Sequence, residues 1–128
     1  HHTMEEEARK KLSADPDGLL TYEYIANHID TVEPELPWLV ENMEKVDLTG
    51  QFVISAARYL FAIDPAAFAP HIDRLIKSGI EKDREHRYLG DMLRQMYGPD
   101  YAERSEELST TDDNFRRIYK RLFPISAI

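Results

Sequence analysis

The chain has 128 residues, with 24 acidic against 16 basic side chains and no cysteine. That length suits one domain with a single core. The missing cysteines exclude a disulfide scaffold, thiolate-ligated metal and thiol catalysis, and a formal charge of −8 opposes nucleic acid phosphate and anionic lipid.

His1, His2 and Thr3 read as the remnant of an affinity tag, which leaves residues 4–128 as one domain. Glu5, Glu6 and Glu7 stand four residues before Arg9, Lys10 and Lys11, the favoured order for ion pairs on a short exposed helix. Asp15-Pro16-Asp17-Gly18 is a turn or a helix start. Apolar residues then recur at helical spacing from Leu19 to Val32. Pro37 suits the first turn of a helix running to about Val46, and Asp47-Leu48-Thr49-Gly50 is the next turn, with Asp47 or Thr49 as N-cap. Gln51 to Ile63 is apolar on nearly every side and predicts the buried central helix. Asp64-Pro65 is the signature of an N-cap followed by proline. Ala69-Pro70 restarts a helix that Gly79 is expected to stop. Asp83 is expected to cap a helix running to Tyr97, with Gly90 marking a close helix–helix approach inside it. Another helix is expected from Asp100 to Leu108. Thr110, Thr111 and Asp112 cap a last one that breaks at Pro124. No sustained period-two run predicts a strand, so the fold class is all-α.

A repeat of about 33 residues runs through these elements. Leu36-Pro37-Trp38-Leu39 aligns with Ala69-Pro70-His71-Ile72, Leu60 with Leu93, and Ile63-Asp64-Pro65 with Tyr97-Gly98-Pro99. A hairpin cannot bury its own apolar face alone, so the expected architecture is a stack of antiparallel helical hairpins, an α-α superhelix of about three hairpins plus a C-terminal helix. Phe52-Val53-Ile54-Ser55-Ala56-Ala57-Arg58-Tyr59-Leu60, then Asp64-Pro65, then Phe68-Ala69-Pro70-His71-Ile72, resembles a HEAT-type repeat. The resemblance covers about Leu36 to Leu108 and implies protein binding along an exposed face. A small, acidic, all-helical, cysteine-free chain is also similar in general character to bacterial immunity proteins, which neutralise basic toxins.

The charge is unevenly placed. Residues 1–64 carry 13 acids and 5 bases, the remainder is neutral, and Arg116, Arg117, Lys120 and Arg121 form a basic tip. Tyr22, Glu23, Tyr24, Glu33, Glu35, Glu41, Glu44 and Asp47 therefore define an expected acidic face for a basic protein partner such as a toxin or nuclease. The basic tip reads as an amphipathic terminal helix with Phe115, Ile118, Tyr119 and Leu122 facing in, not as a nucleic acid patch.

Chemistry-bearing motifs are few. His28-x-Asp30 and His71-x-Asp73 point to different faces of a helix, and no spacing matches a metal site, so no metal or cofactor is expected. His86 falls on a helical stripe with Leu89, Leu93 and Met96, which suits a core or boundary histidine. Arg58 is the one charge in the most apolar helix. With Tyr59 and His86 it defines the alternative to a binding module: a small-ligand protein or enzyme with a pocket between hairpins, an oligomerising scaffold being a further one. Binding is preferred over catalysis. No apolar run approaches the ~18 residues of a membrane span, and no signal-peptide pattern follows Met4, so a cytoplasmic location without membrane contact is expected.

Overall fold

The computed structural model describes residues 5–124, and the expected tag remnant lies outside them. Among the described residues there are eight α-helices and no strand, so the protein is all-α. The helices are α1 (Glu6–Ser13), α2 (Leu19–Asn27), α3 (Leu36–Val46), α4 (Gln51–Ile63), α5 (Ala69–Lys82), α6 (Met92–Tyr97), α7 (Ser105–Thr111) and α8 (Asp113–Leu122). Short 3-10 turns at Glu33–Glu35 and Leu89–Asp91 lead into α3 and α6. Helix α4 is the hub, packed against α2, α3, α5 and α6, and α8 closes the far end against α5, α6 and α7. Its Val53, Ile54, Ala56, Ala57 and Leu60 are buried, as its all-round apolar sequence requires. Leu39 and Met43 of α3, Leu75 and Ile76 of α5, and Phe115 and Ile118 of α8 complete the same core.

Three buried aspartates organise the turns. Asp15 is 4% exposed, Asp47 1% and Asp83 3%. The Asp47 carboxylate accepts from the backbone N–H of Thr49 (3.0 Å) and Gly50 (2.9 Å) through Oδ1. Through Oδ2 it accepts from Phe52 (2.8 Å) and Val53 (2.9 Å). It thereby satisfies donors that the first turn of α4 would otherwise leave orphaned. Asp15 accepts from the N–H of Asp17, Gly18 and Thr21 and from the Thr21 hydroxyl. Asp83 accepts from Arg87, Tyr88 and Leu89. The Asn42 amide extends the first cluster, donating to Leu12 O and to Thr21 Oγ1, and so ties α1, α2 and α3 together.

The three turns also meet each other. A Cβ on Gly18 would lie 3.3 Å from Asp47 Cβ, and one on Gly50 would lie 3.2 Å from Asp83 Cβ. Both glycines have positive φ, at 110° and 91°, so space and backbone each demand glycine. In the third turn the equivalent residue is His86, with φ 58°. The left-handed region is unfavourable for a residue with a side chain. His86→Gly should therefore raise stability by up to about 1 kcal/mol in urea unfolding. A destabilised variant would show that the imidazole makes contacts outweighing the backbone cost.

Several sequence expectations need correction, among them the helix expected from Asp100 to Leu108, which runs from Ser105 to Thr111 and so takes in Thr110 and Thr111, leaving Asp112 to cap α8. His86 is not on a helix with Leu89, Leu93 and Met96: once the Asp83 carboxylate takes three successive N–H groups, the chain turns, and the helix begins only at Met92. Gly90 lies exposed in the 3-10 turn with open space around it, so it marks no close approach. Gly79 does not stop a helix but sits inside α5 against α4, where a Cβ would meet Ile54 Cγ1 at 2.6 Å. Helix α2 ends at Asn27 instead of Val32, because the His28 N–H already turns to both Tyr24 O and Ile25 O and Thr31 N–H bonds back to His28 O. Further along, Asp64 caps a turn through Ala67 N–H ahead of α5, and Asp112 caps α8 through Phe115 N–H.

Asp15 links this architecture to pH. Burial pushes its carboxyl up, but the Thr21 hydroxyl and the N–H groups of Gly18, Thr21 and Asp17 outweigh that and hold it below the usual carboxylate range. Its stabilising contribution is then fully present above the unfolded-state value of about 4 and is lost as pH falls through the lower folded value. Urea midpoints measured from neutral pH into acid should fall less steeply for Asp15→Asn than for the parent. Parallel curves would remove Asp15 as a contributor.

Candidate binding site

The expected acidic face is divided by the structure. Asp47 is withdrawn from it: its carboxylate is buried and consumed by the α4 amides. Glu44 is engaged by Arg74 through two hydrogen bonds, Nε to Oε2 at 2.9 Å and Nη2 to Oε1 at 2.8 Å. The Glu44 bonds, with Glu41 nearby, hold the Arg74 guanidinium even more firmly protonated against the cost of burial. Glu35 pairs with Arg9 at 3.4 Å, and the Arg9 guanidinium lies 5.4 Å over the Trp38 ring, which seats α1 on α3. Tyr24 stacks on His28, with ring centroids 4.1 Å apart. Glu23, Asp30, Glu33 and Glu41 remain exposed, with no ion pair or hydrogen bond from their side chains among the described residues. In the C-terminal half Glu85, Asp91, Asp100 and Asp113 are each paired with an arginine, whereas Glu81, Glu103, Glu106 and Glu107 have no ion pair among the described residues.

Arg58 and its chain neighbour Tyr59 lie on one groove, and His86 is not among the residues that line it. The two line an open groove of about 580 Å³ between α2, α4 and α6, together with Tyr22, Phe61, Gln95 and Met96. Tyr22 and Tyr59 meet edge to face across it, with ring centroids 6.2 Å apart. Tyr22 thus belongs to this groove as well as to the expected acidic face. Met96, expected on an apolar stripe, packs at the edge of the core here, whereas nothing in the sequence marks Gln95 as a groove residue.

Histidines are scattered. His28 Nδ1 is 2.9 Å from Tyr24 O, and His71 sits half-buried on α5. Burial, reinforced by Arg74, lowers the His71 imidazole below its ordinary value against the opposing pull of Glu33. Among the described residues no group of three or more His, Cys, Asp or Glu is placed to hold a metal ion. No helix there is long and apolar enough to cross a membrane.

Helix α8 buries Phe115 and Ile118, with Arg116 and Arg117 both reaching back to Asp113. The Arg116 hydrogen bond, aided by the charge of Arg117, holds the Asp113 carboxyl low. Tyr97 donates to the α8 cap, Asp112 Oδ2, at 2.9 Å, and burial beside that carboxylate pushes its phenol strongly up. A second cleft, of about 630 Å³, lies between α5 and α8 and is lined by Lys77, Ile80, Glu81, Arg117, Lys120 and Arg121 among others.

Compared with known proteins, the chain matches no family model, no curated protein and no solved structure.

Proposed function

We propose that this is a non-catalytic protein-binding module whose N-terminal carboxylates dock a basic partner. The observation that carries the reading is that Glu23, Asp30, Glu33 and Glu41 stand exposed without an ion pair among the described residues, in a stretch from residue 23 to 47 whose only base is Lys45. Their field steers a cationic protein and repels nucleic acid. The separation of His86 from Arg58 and Tyr59 supports binding over an enzyme built on those three. A HEAT-like stack of hairpins is the architecture that fits such a role, and the contact of each aspartate turn with the next supports it. The concrete partner is a basic toxin or nuclease that the protein inhibits inside the cell. A pull-down with the parent chain and with Glu23→Lys/Glu33→Lys/Glu41→Lys tests this. Capture at low salt that is lost at high salt and in the variant is expected. Salt-independent capture, or capture the variant retains, would overturn the reading.

A further inference from the structure

Arg58 stands apart from the other half-buried arginines. Arg9, Arg104 and Arg117 are each paired with a carboxylate, whereas the Arg58 guanidinium has no acceptor among the described residues. The half-buried Tyr22 and Tyr59 hydroxyls and the exposed Gln95 amide in the same groove are also without a hydrogen bond among the described residues, although the phenol of Tyr97 nearby on α6 finds Asp112. These groups face an open groove and are in reach of water there, and a fixed guanidinium fork matches a carboxylate that displaces that water through two parallel bonds. The surrounding walls are apolar and aromatic, from Tyr22, Tyr59, Phe61 and Met96. Such walls favour a flat apolar body over a bare inorganic ion. A single cation suits a single negative charge, since a polyanion would bring unpaired charge into the groove.

The geometry points to the α2–α4–α6 groove as a binding site for a monocarboxylate with an aromatic or apolar body. Arg58 binds the carboxylate, Gln95 and the two tyrosine hydroxyls supply further hydrogen bonds, and the Tyr22 and Tyr59 rings flank the body. Two sources present this chemistry: a free aromatic acid, or the C-terminal carboxylate of a polypeptide ending in an apolar residue. The site shares Tyr22 with the acidic face but none of its carboxylates, so either can fail alone.

The test uses the full chain and amide NMR titration with 3-phenylpropionate, with N-acetyl-Gly-Gly-Phe, and with the C-terminal amide of that peptide. Saturable shifts confined to α2, α4 and α6 are expected for the acids. The amide should bind at least about tenfold more weakly, because a charge-assisted pair is lost. Arg58→Gln should weaken the acids by a similar factor, and Arg58→Lys by less, because it keeps the charge without the fork. Tighter binding of the peptide would identify a chain terminus as the source, and tighter binding of 3-phenylpropionate a free acid. Lys120→Glu/Arg121→Glu should leave affinity unchanged. Equal binding of acid and amide, indifference to Arg58→Gln, shifts centred on the α5–α8 cleft, or no saturable shift would each overturn the proposal.

Discussion

Asp47→Ala should be among the most destabilising single substitutions in the chain, costing about 3–5 kcal/mol and lowering the unfolding midpoint by about 10 °C or more. The carboxylate is 1% exposed and accepts from four backbone N–H groups, with a further bond from the Thr49 hydroxyl at 3.2 Å. Alanine leaves those donors without acceptors, and each unpaired buried donor costs about 1–3 kcal/mol. Partial hydration at the more exposed end of the turn keeps the total below the simple product. The loss falls on α4, the helix on which α2, α3, α5 and α6 all pack, so a frayed first turn loosens several contacts at once. Asp47→Asn keeps one acceptor oxygen and turns an amide NH2 toward the remaining donors, so it should fall between parent and alanine variant. Leu48→Ala, one residue away and 80% exposed, should change stability by less than about 0.5 kcal/mol. Urea unfolding of the three variants checks the order. An Asp47→Ala protein within about 1 kcal/mol of the parent would show that these amides find other acceptors.

The same aspartates show what a sequence can reveal here. Asp15-Pro16-Asp17-Gly18 and Asp47-Leu48-Thr49-Gly50 are recognisable as turns because short polar side chains and glycine serve local backbone needs. Their burial was not legible, since an aspartate in a polar tetrapeptide reads as surface charge. That is why Asp47 entered the expected acidic face. The starts of α3 and α5 lie where Pro37 and Pro70 place them, because Pro at the second helical position fixes φ and forfeits only an orphan donor. The third turn hid its kinship, because His86 occupies the place that Gly18 and Gly50 take in the first two. Without that signal Asp83 reads as the cap of one long helix, and His86 falls on its apolar stripe instead of in a turn. Arg58 and Tyr59 could be picked out as a charge and a tyrosine on an apolar helix. Their pairing with Tyr22 depends on how α2 lies across α4, which is a matter of tertiary packing.

Gly79→Ala should destabilise the protein by about 2 kcal/mol, and Gly79→Val by more, although both residues are intrinsically better placed in a helix than glycine. Alanine gains roughly 1 kcal/mol in helix propensity, which alone predicts stabilisation. The deciding quantity is the 2.6 Å between a Cβ at this position and Ile54 Cγ1, with Ile54 Cδ1 next at 3.1 Å. Ile54 is 1% exposed and β-branched, in the central helix, so it has neither room nor free rotamers with which to retreat. Helix α5 must then move away from α4, disturbing the most extensive helix pair in the fold. Two comparisons isolate this cause. Gly90→Ala, whose Cβ meets nothing within 4 Å, should be neutral or stabilising by up to about 1 kcal/mol. Ile54→Ala removes the atoms in the way, so the double variant with Gly79→Ala should be less destabilised than the sum of the single changes by more than about 0.5 kcal/mol. Additive losses in the double variant would mean that the clash with Ile54 is not what makes glycine necessary. A stable Gly79→Ala would mean that α4 and α5 can separate without cost, which their buried, interlocked side chains oppose.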